Sequence, residues 1–469
     1  MPRQLARPPL QAPAARRLYA TTDGGRAVDL EPFDRDWADA ADGFLRHNGA
    51  ALRRLDVRAT IEPARRGVRV RLLPGSRAGA VPLRLATSGQ VFSGLVVRPR
   101  FGWAGMGQVL AQTGWQAAPD LLPLPLVPGS GREVPPWVIA GPALRRLREL
   151  LGRLRRGYRM AEAVLPQVRG HVQWTRYAAE QLTRGEWHRF PCRFPDLAQD
   201  PRLRAQVRWA LERLHRALAG VAGSDRLALA LAEEALALLT GLADVAAQRP
   251  GHPASGGGLL DPVVEAGLEA LGWVSDDRGL GGAAELDGLA WASALDALWE
   301  RFVEAQARRW AAALGGCVTT ARERTALVPV RWQQRGGVSL GHLAPDVVVR
   351  VGRQVVIFDA KYKAHLAGLD AEGWRAFTED EQAAHRADLH QALAYAALFD
   401  AEAVTTVLVY PLRAATWRAL ADERRAALLA DVATGGRPLR LALAGLPFGW
   451  GAGDDRQLGL WAWRGLLAG

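Results

Sequence analysis

Leu343-Ala-Pro-Asp-Val-Val-Val-Arg-Val-Gly-Arg-Gln-Val-Val-Ile-Phe-Asp-Ala-Lys-Tyr-Lys363 is the stretch on which the reading of this chain turns. A valine-rich strand leaves Asp346, turns at Gly352 and Arg353, and returns as an apolar strand ending in Asp359, Ala360 and Lys361. Side chains alternate along a strand, so Asp359 and Lys361 face the same side. Asp346 enters at the start of the partner strand. The spacing predicts two carboxylates and an amine converging at one sheet edge, the shape of a divalent-metal site with an ammonium beside it.

Composition singles out the same place. Lysine and arginine together number 60, yet the only lysines are Lys361 and Lys363. A codon bias toward arginine explains the general preference, but not why both exceptions fall so close together. Arginine is a planar fork that keeps its proton; lysine is a compact point charge. A position that resists replacement by arginine needs a small ammonium, and Lys361 is read as that position. Lys363 is either a helper or a bystander.

With 469 residues the chain is long enough for two to three domains with their own cores. The formal net charge of +12 favours a polyanionic partner, nucleic acid first. Cys192 and Cys317 are the only cysteines, which excludes a disulfide framework or a cysteine zinc site and fits a reducing, cytoplasmic setting. Met1 to Thr22 is rich in Arg, Pro and Ala without the apolar stretch of a secretory signal, and no segment is expected to span a membrane.

In chain order the expectation is multidomain. Residues 1–24 read as a flexible basic arm. Residues 25–135 read as a β-rich assembly or partner-binding domain, in which Gly67 to Leu73, Val81 to Leu85 and Gln90 to Val97 alternate. Residues 136–250 read as a central α-helical region. There, a helix over Ala143 to Arg156 carries an arginine-rich face that suits either solvent or phosphates, and Asp225 caps a helix starting near Arg226. The run Arg249 to Gly258 reads as a linker. Residues 259–469 read as a C-terminal α/β domain. It holds an amphipathic helix over Ala294 to Leu314, the hairpin, a helix over Ala383 to Phe399, and a buried strand over Thr405 to Tyr410 that Pro411 ends. On the second of these helices Asp388, Gln391 and Tyr395 share one face.

Phosphodiester hydrolysis needs a cation to orient water, lower its pKa and neutralise developing charge, and Mg²⁺ takes a few carboxylates while keeping several waters. Asp346, Asp359 and the Ala360 carbonyl can supply such a shell. Glu300 is the candidate to complete it, with Glu304, one turn on, as the alternative. Lys361 could orient or deprotonate the attacking water, or stabilise negative charge.

These residues resemble the PD-(D/E)XK nuclease superfamily. Pro345 and Asp346 match the first half of its motif, and Asp359, Ala360 and Lys361 the second. Gln391 and Tyr395 match the Gln-x-x-x-Tyr element of the RecB-like branch. Glu300, in Leu298-Trp-Glu-Arg-Phe-Val-Glu304, is similar to the acidic residue on the helix before the core sheet. A narrower resemblance, over about 140 to 410, is to McrC, the nuclease subunit of McrBC-type modification-dependent restriction systems. It rests on Asp359-Ala-Lys-Tyr-Lys363, Arg155-Arg-Gly-Tyr158, Val168-Arg-Gly-His-Val-Gln-Trp174 and Phe190-Pro-Cys-Arg-Phe194. The resemblance implies a PD-(D/E)XK restriction-endonuclease-like C-terminal domain with Asp346, Asp359, Lys361, Gln391 and Tyr395 catalytic. It implies Mg²⁺ (or Mn²⁺) as cofactor, DNA as substrate, and a hexameric AAA+ GTPase as partner in a defence system. No Gly-x-x-x-x-Gly-Lys loop occurs, so NTP hydrolysis is expected from another protein. Two other readings stand beside this one: a non-catalytic DNA-binding or ring-stimulating adaptor, and a RecB-like repair nuclease working at DNA ends.

Overall fold

A computed structural model describes residues 18–30, 37–64, 67–115, 119–154, 157–198, 200–223, 225–251, 261–275, 287–331, 340–363, 366, 377–433, 438–449 and 465–467. Residues 1–17 of the expected arm, 155–156 of the expected arginine-rich helix, 252–258 of the expected linker, 367–376 and 450–464 lie outside these. The chain forms two compact units, Ile139–Gly282 and Met1–Val138 with Ala283–Gly469.

The discontinuous unit carries the hairpin. Its largest sheet has six strands in the order Cys317–Thr320, Val347–Val351, Gln354–Ala360, Ala403–Leu412, Leu439–Pro447 and Ala427–Val432. Val347–Val351 and Gln354–Ala360 form the expected antiparallel hairpin, closed by Gly352 in the left-handed region (φ +56°), where glycine carries no Cβ penalty. Gln354–Ala360 then pairs in parallel with Ala403–Leu412, which pairs in parallel with Leu439–Pro447. A central parallel strand is covered on both faces, and Val355 through Phe358 are all buried, without polar interruption. Pro411 does not end its strand: the pairing runs on to Leu412 opposite Pro447. A proline costs a strand one N–H, and the neighbouring pairs hold this one in place.

Helix Leu295–Ala313 covers one face of this sheet and Glu379–Ala396 the other. Trp310 meets Phe358 edge-on at 5.7 Å, and Trp299 donates its indole N–H to Val409 O at 3.0 Å. On the opposite face Val348, Val355 and Ile357 pack with Tyr395, Ala396 and Phe399. Thr378 opens the second helix with a reciprocal capping box to Glu381. The result is a mixed α/β layer structure.

The N-terminal part of the same unit is built from two smaller sheets. One has strands in the order Leu18–Thr22, Val91–Arg98, Arg77–Arg84, Trp291–Ala294 and Asp120–Leu121; the other is Val28–Leu30, Gly67–Pro74 and Val57–Ala64. Residues 18–22 of the expected flexible arm are therefore a strand, paired in parallel with 94–98. That pairing is made with residues far along the chain, so no local pattern announces it. Trp291–Ala294, directly ahead of the Glu300 helix, pairs with Arg77–Arg84 and so belongs to the N-terminal sheet. Gly79 sits where a Cβ would come within 2.3 Å of the Trp291 carbonyl, which is why the strands can approach there. Helices Trp37–Arg54 and Gly102–Gln112 lie in the region expected to be β-rich.

The second unit mixes helices with a sheet. Helices Pro201–Ala219, Arg226–Thr240 and Pro262–Ser275 join the part of Trp137–Arg153 that follows Val138. Asp225 caps as expected, accepting the N–H groups of Leu227 and Ala228. The expectation of an α-helical region over 136–250 is corrected in part: Gly157–Leu165 and Phe190–Ala198 are long antiparallel strands, with His171–Val172 alongside. Met160, Ala161, Glu162 and Ala163 favour helix locally, but pairing with a distant strand and burial of Cys192 and Phe194 outweigh that weak preference. The arginine-rich helix face spends three of its charges internally. Arg145 pairs with Glu149 (2.9 Å), Arg146 with Glu269 (2.6 Å) and Arg148 with Glu234 (2.7 Å).

Candidate active site

The C-terminal end of Gln354–Ala360 gathers the predicted site residues. Asp346 stands just before its strand and accepts the Ala360 N–H at Oδ2, 2.8 Å away. This ties the first carboxylate to the backbone between the second carboxylate and the lysine. Asp359 is 3% exposed and alternation places Lys361 on its side, with Nζ 2.9 Å from Asp359 Oδ2. The contact is a buried ion pair. The Lys361 N–H donates to Val409 O at 2.9 Å, which fixes the backbone at the strand end.

Helix Glu379–Ala396 brings its polar face over this edge. Lys361 Nζ donates to Gln391 Oε1 at 2.7 Å, Gln391 Nε2 to the Tyr395 hydroxyl at 2.9 Å, and Tyr395 to Ala344 O at 3.2 Å. Gln391 and Tyr395 thus form a chain from the ammonium back to the backbone ahead of Asp346. Asp388 is buried on the same face and accepts from Lys363 Nζ at 2.7 Å.

The electrostatics follow from this crowding. Burial, then the neighbouring Asp359 charge, pushes the Asp346 carboxyl up to about 8, against the Ala360 N–H, which favours the anion. Burial alone would lower Lys361, but Asp359 first, with Asp388 and Asp346 behind it, holds it above the usual lysine range. Tyr395 is raised by burial, with Gln391 opposing. Glu300, on the helix across the sheet, is raised by burial of its carboxyl and then by Asp296 and Asp359. The residue is nonetheless open to solvent, so the raised value reflects crowding from one side.

Asp346, Asp359, Ala360, Lys361, Gln391 and Tyr395 therefore come together, and Glu300 stands within electrostatic reach. Among the described residues no three His, Cys, Asp or Glu side chains sit close enough to form a metal cage by themselves. Glu304 is excluded from any such role. Burial would raise it, but Arg322 and Arg308 hydrogen-bond its two oxygens and hold it below the usual range. A hard dication fits the Asp346–Asp359 pair on chemical grounds: two buried carboxylates crowd one another enough to push Asp346 up, and a cation held between them relieves that repulsion.

Three neighbours carry no role assigned from the sequence. Asp388 is legible as a helix-face residue, but its pairing with Lys363 is not. Asp23 and Arg100 leave no local signal. Arg100 donates Nε to the buried Asp23 Oδ2 at 2.6 Å and lies 4.5 Å from the ring centroid of Tyr362, which follows Lys361. No helix among the described residues is long and apolar enough to cross a membrane.

Residues 287–411 match the family model of the McrBC 5-methylcytosine restriction system component. No curated protein matches the chain. Among solved structures, the chain is similar to one from Thermococcus gammatolerans, a half-complex of McrB AAA+ hexamers with bound McrC. The identity is 13% and the TM-score 0.39, over 94% of this chain and 98% of that one. It is also similar to the cryo-EM structure of the Thermococcus gammatolerans McrBC complex, at 10% identity and TM-score 0.25, over 63% of this chain and 88% of that one.

Proposed function

We propose that this McrC-like chain is a Mg²⁺-dependent DNA endonuclease subunit with a PD-(D/E)XK core, hydrolysing phosphodiester bonds when an AAA+ NTPase partner engages it. The family match over residues 287–411 supports this reading because that interval includes Glu300, Asp346, Asp359, Lys361, Gln391 and Tyr395. The observation that carries it is the meeting of Asp346, Asp359 and Lys361 at one strand end.

Asp346 and Asp359, with Glu300 and the Ala360 carbonyl completing the shell, would hold Mg²⁺. Bound there, it supplies Lewis acidity that lowers the pKa of a water and offsets charge on the phosphorane. Lys361, held above the usual range, stays an ammonium near neutral pH. Its part is to orient the attacking water and balance charge on a phosphate oxygen rather than to take the proton. Gln391 and Tyr395 keep that ammonium in place. The water oxygen forms the new P–O bond as the bond to the leaving sugar oxygen breaks; the water gives up a proton to solvent and the leaving oxygen takes one up from it.

The test is Asp359→Ala in the full chain with its NTPase partner, assayed on plasmid DNA with Mg²⁺. Cleavage is expected to fall on the order of a thousandfold with the fold intact by circular dichroism, as for loss of a metal-ligating catalytic group. Cleavage at the wild-type rate would show that the site lies elsewhere. Mn²⁺ titration separates the adaptor reading, which needs no carboxylate-dependent cation affinity.

A further inference from the structure

We propose that Asp388, paired with Lys363, is a positioning residue that fixes the Lys361 ammonium between Asp359 and Gln391. The proposal rests on the nuclease reading for its consequence, but not for its geometry.

An ammonium has three N–H donors and no acceptor. Around Lys361 Nζ stand three oxygens: Gln391 Oε1 at 2.7 Å, Asp359 Oδ2 at 2.9 Å and Asp388 Oδ1 at 3.8 Å. The first lies on the helix and the second on the hairpin. The third, again on the helix, belongs to a residue nearly as deeply buried as Asp359, at 6% against 3% exposed. A buried carboxylate is costly unless it is paired, and Asp388 meets this cost with Lys363, whose Nζ lies 2.7 Å from Oδ2. Lys363 thus takes one oxygen and leaves the other facing Lys361. The two lysines of the chain share one acid.

The arrangement sets a second carboxylate, on the helix side, against the one that Lys361 Nζ already touches on the hairpin. With only Asp359 and Gln391 around it, the ammonium would have one charge fewer to fix its direction. Asp388 pulls from the helix side and keeps Nζ at the mouth of the site. It also gives Lys363 a function that a bystander would lack. The neighbouring groups agree with this. His385, one turn before Asp388, is held below the ordinary histidine range by burial and approaches the Tyr410 hydroxyl at 3.3 Å, so it adds no full positive charge to compete for Asp388 near neutral pH.

The test uses a singular property of this chain: ¹³Cε-lysine labelling of the full-length protein yields two side-chain signals, which Lys361→Arg assigns. In Asp388→Asn the Lys361 signal is expected to shift by more than its line width. The kcat for plasmid cleavage should fall about tenfold or more, as when a supporting partner of a catalytic group is removed, with KM for DNA and Mn²⁺ affinity within about twofold of wild type. Asp388→Glu, which keeps the charge on a longer arm, is expected to restore part of kcat. A Lys361 signal that does not move, or a kcat within about twofold of wild type, overturns the proposal. Should Asp388→Asn not fold, Lys363→Gln carries the same two readouts, with the same expected direction. If the wild-type chain cuts no DNA, the nuclease reading fails, and the lysine signal alone decides whether Asp388 positions Lys361.

Discussion

Lys361 shows how much one side chain is asked to do. It sits 14% exposed between a carboxylate and an amide, where a guanidinium would have to place a wide planar fork. Lys361→Arg is therefore expected to lose on the order of a hundredfold in cleavage although charge is kept, as for displacing one charge-stabilising donor. Single-turnover cleavage of plasmid DNA measures it, and full activity would remove the argument from lysine scarcity. Asp346 makes a second prediction. Its carboxyl, raised to about 8, binds a proton more tightly in the cation-free fold than in the unfolded chain. Its contribution to stability is thus present below the ordinary carboxylate range and is lost as pH rises toward 8. A dication must displace that proton. Mn²⁺ affinity should rise up to roughly tenfold per pH unit between about pH 6 and 8 and level off above, with proton release on binding. Calorimetric titration at several pH values, in two buffers of different ionisation enthalpy, reads both. An affinity that stays flat over that range would mean that Asp346 is not a ligand.

Among the elements, strand Gln354–Ala360 carries Asp359, and the apolar face of helix Leu295–Ala313 packs against that strand and holds it steady. Trp299, Phe302, Trp310 and Phe358 are each at most 4% exposed. Trp299 adds a hydrogen bond to Val409, the residue whose carbonyl also receives the Lys361 N–H. Trp299→Ala should cost about 3–5 kcal/mol of stability, as large-to-small core changes do. It should also lower cleavage beyond the loss of folded protein, because Val409 anchors the strand end. Denaturant unfolding beside activity per folded molecule distinguishes the two effects. The helix read over Ala383 to Phe399 runs Glu379–Ala396 from its capping box at Thr378. Helix Leu295–Ala313 and the hairpin were legible because each has a clear period, helical spacing for the helix and alternation for the strands, with Gly352 at the turn. Gly157–Leu165 and Phe190–Ala198 were not, because their strand character comes from each other and not from their own residues.

Across the whole chain, the N-terminal sheet and the site-bearing sheet share one compact unit. Trp291–Ala294 lies between two neighbours in the N-terminal sheet and leads without a loop into the Glu300 helix. A fragment of residues 287–469 should therefore leave Trp291 and both edges of that strand uncovered. It is expected to aggregate or to melt roughly 10 °C or more below the full chain, a shift of the size that losing a few kcal/mol produces. Light scattering and thermal melting of the fragment check this, and a fragment as soluble and stable as the whole would mean the two sheets are independent. The Asp23–Arg100–Tyr362 contact runs from the same N-terminal region to the residue beside Lys361.

Read alone, the chain yields the hairpin, the carboxylate pair with its lysine, and the helix face that answers them. Those are local facts: periodicity places Asp359 and Lys361 on one side, and a three-and-four spacing places Asp388, Gln391 and Tyr395 on another. Which acids are free to serve follows only from the packing. Glu304 is claimed by Arg322 and Arg308 and Asp388 by Lys363, while Asp346 and Asp359 are left facing each other. The reason is physical: a charge's partner is set by which chain segments pack together, often far apart in sequence, and no period along the chain records that.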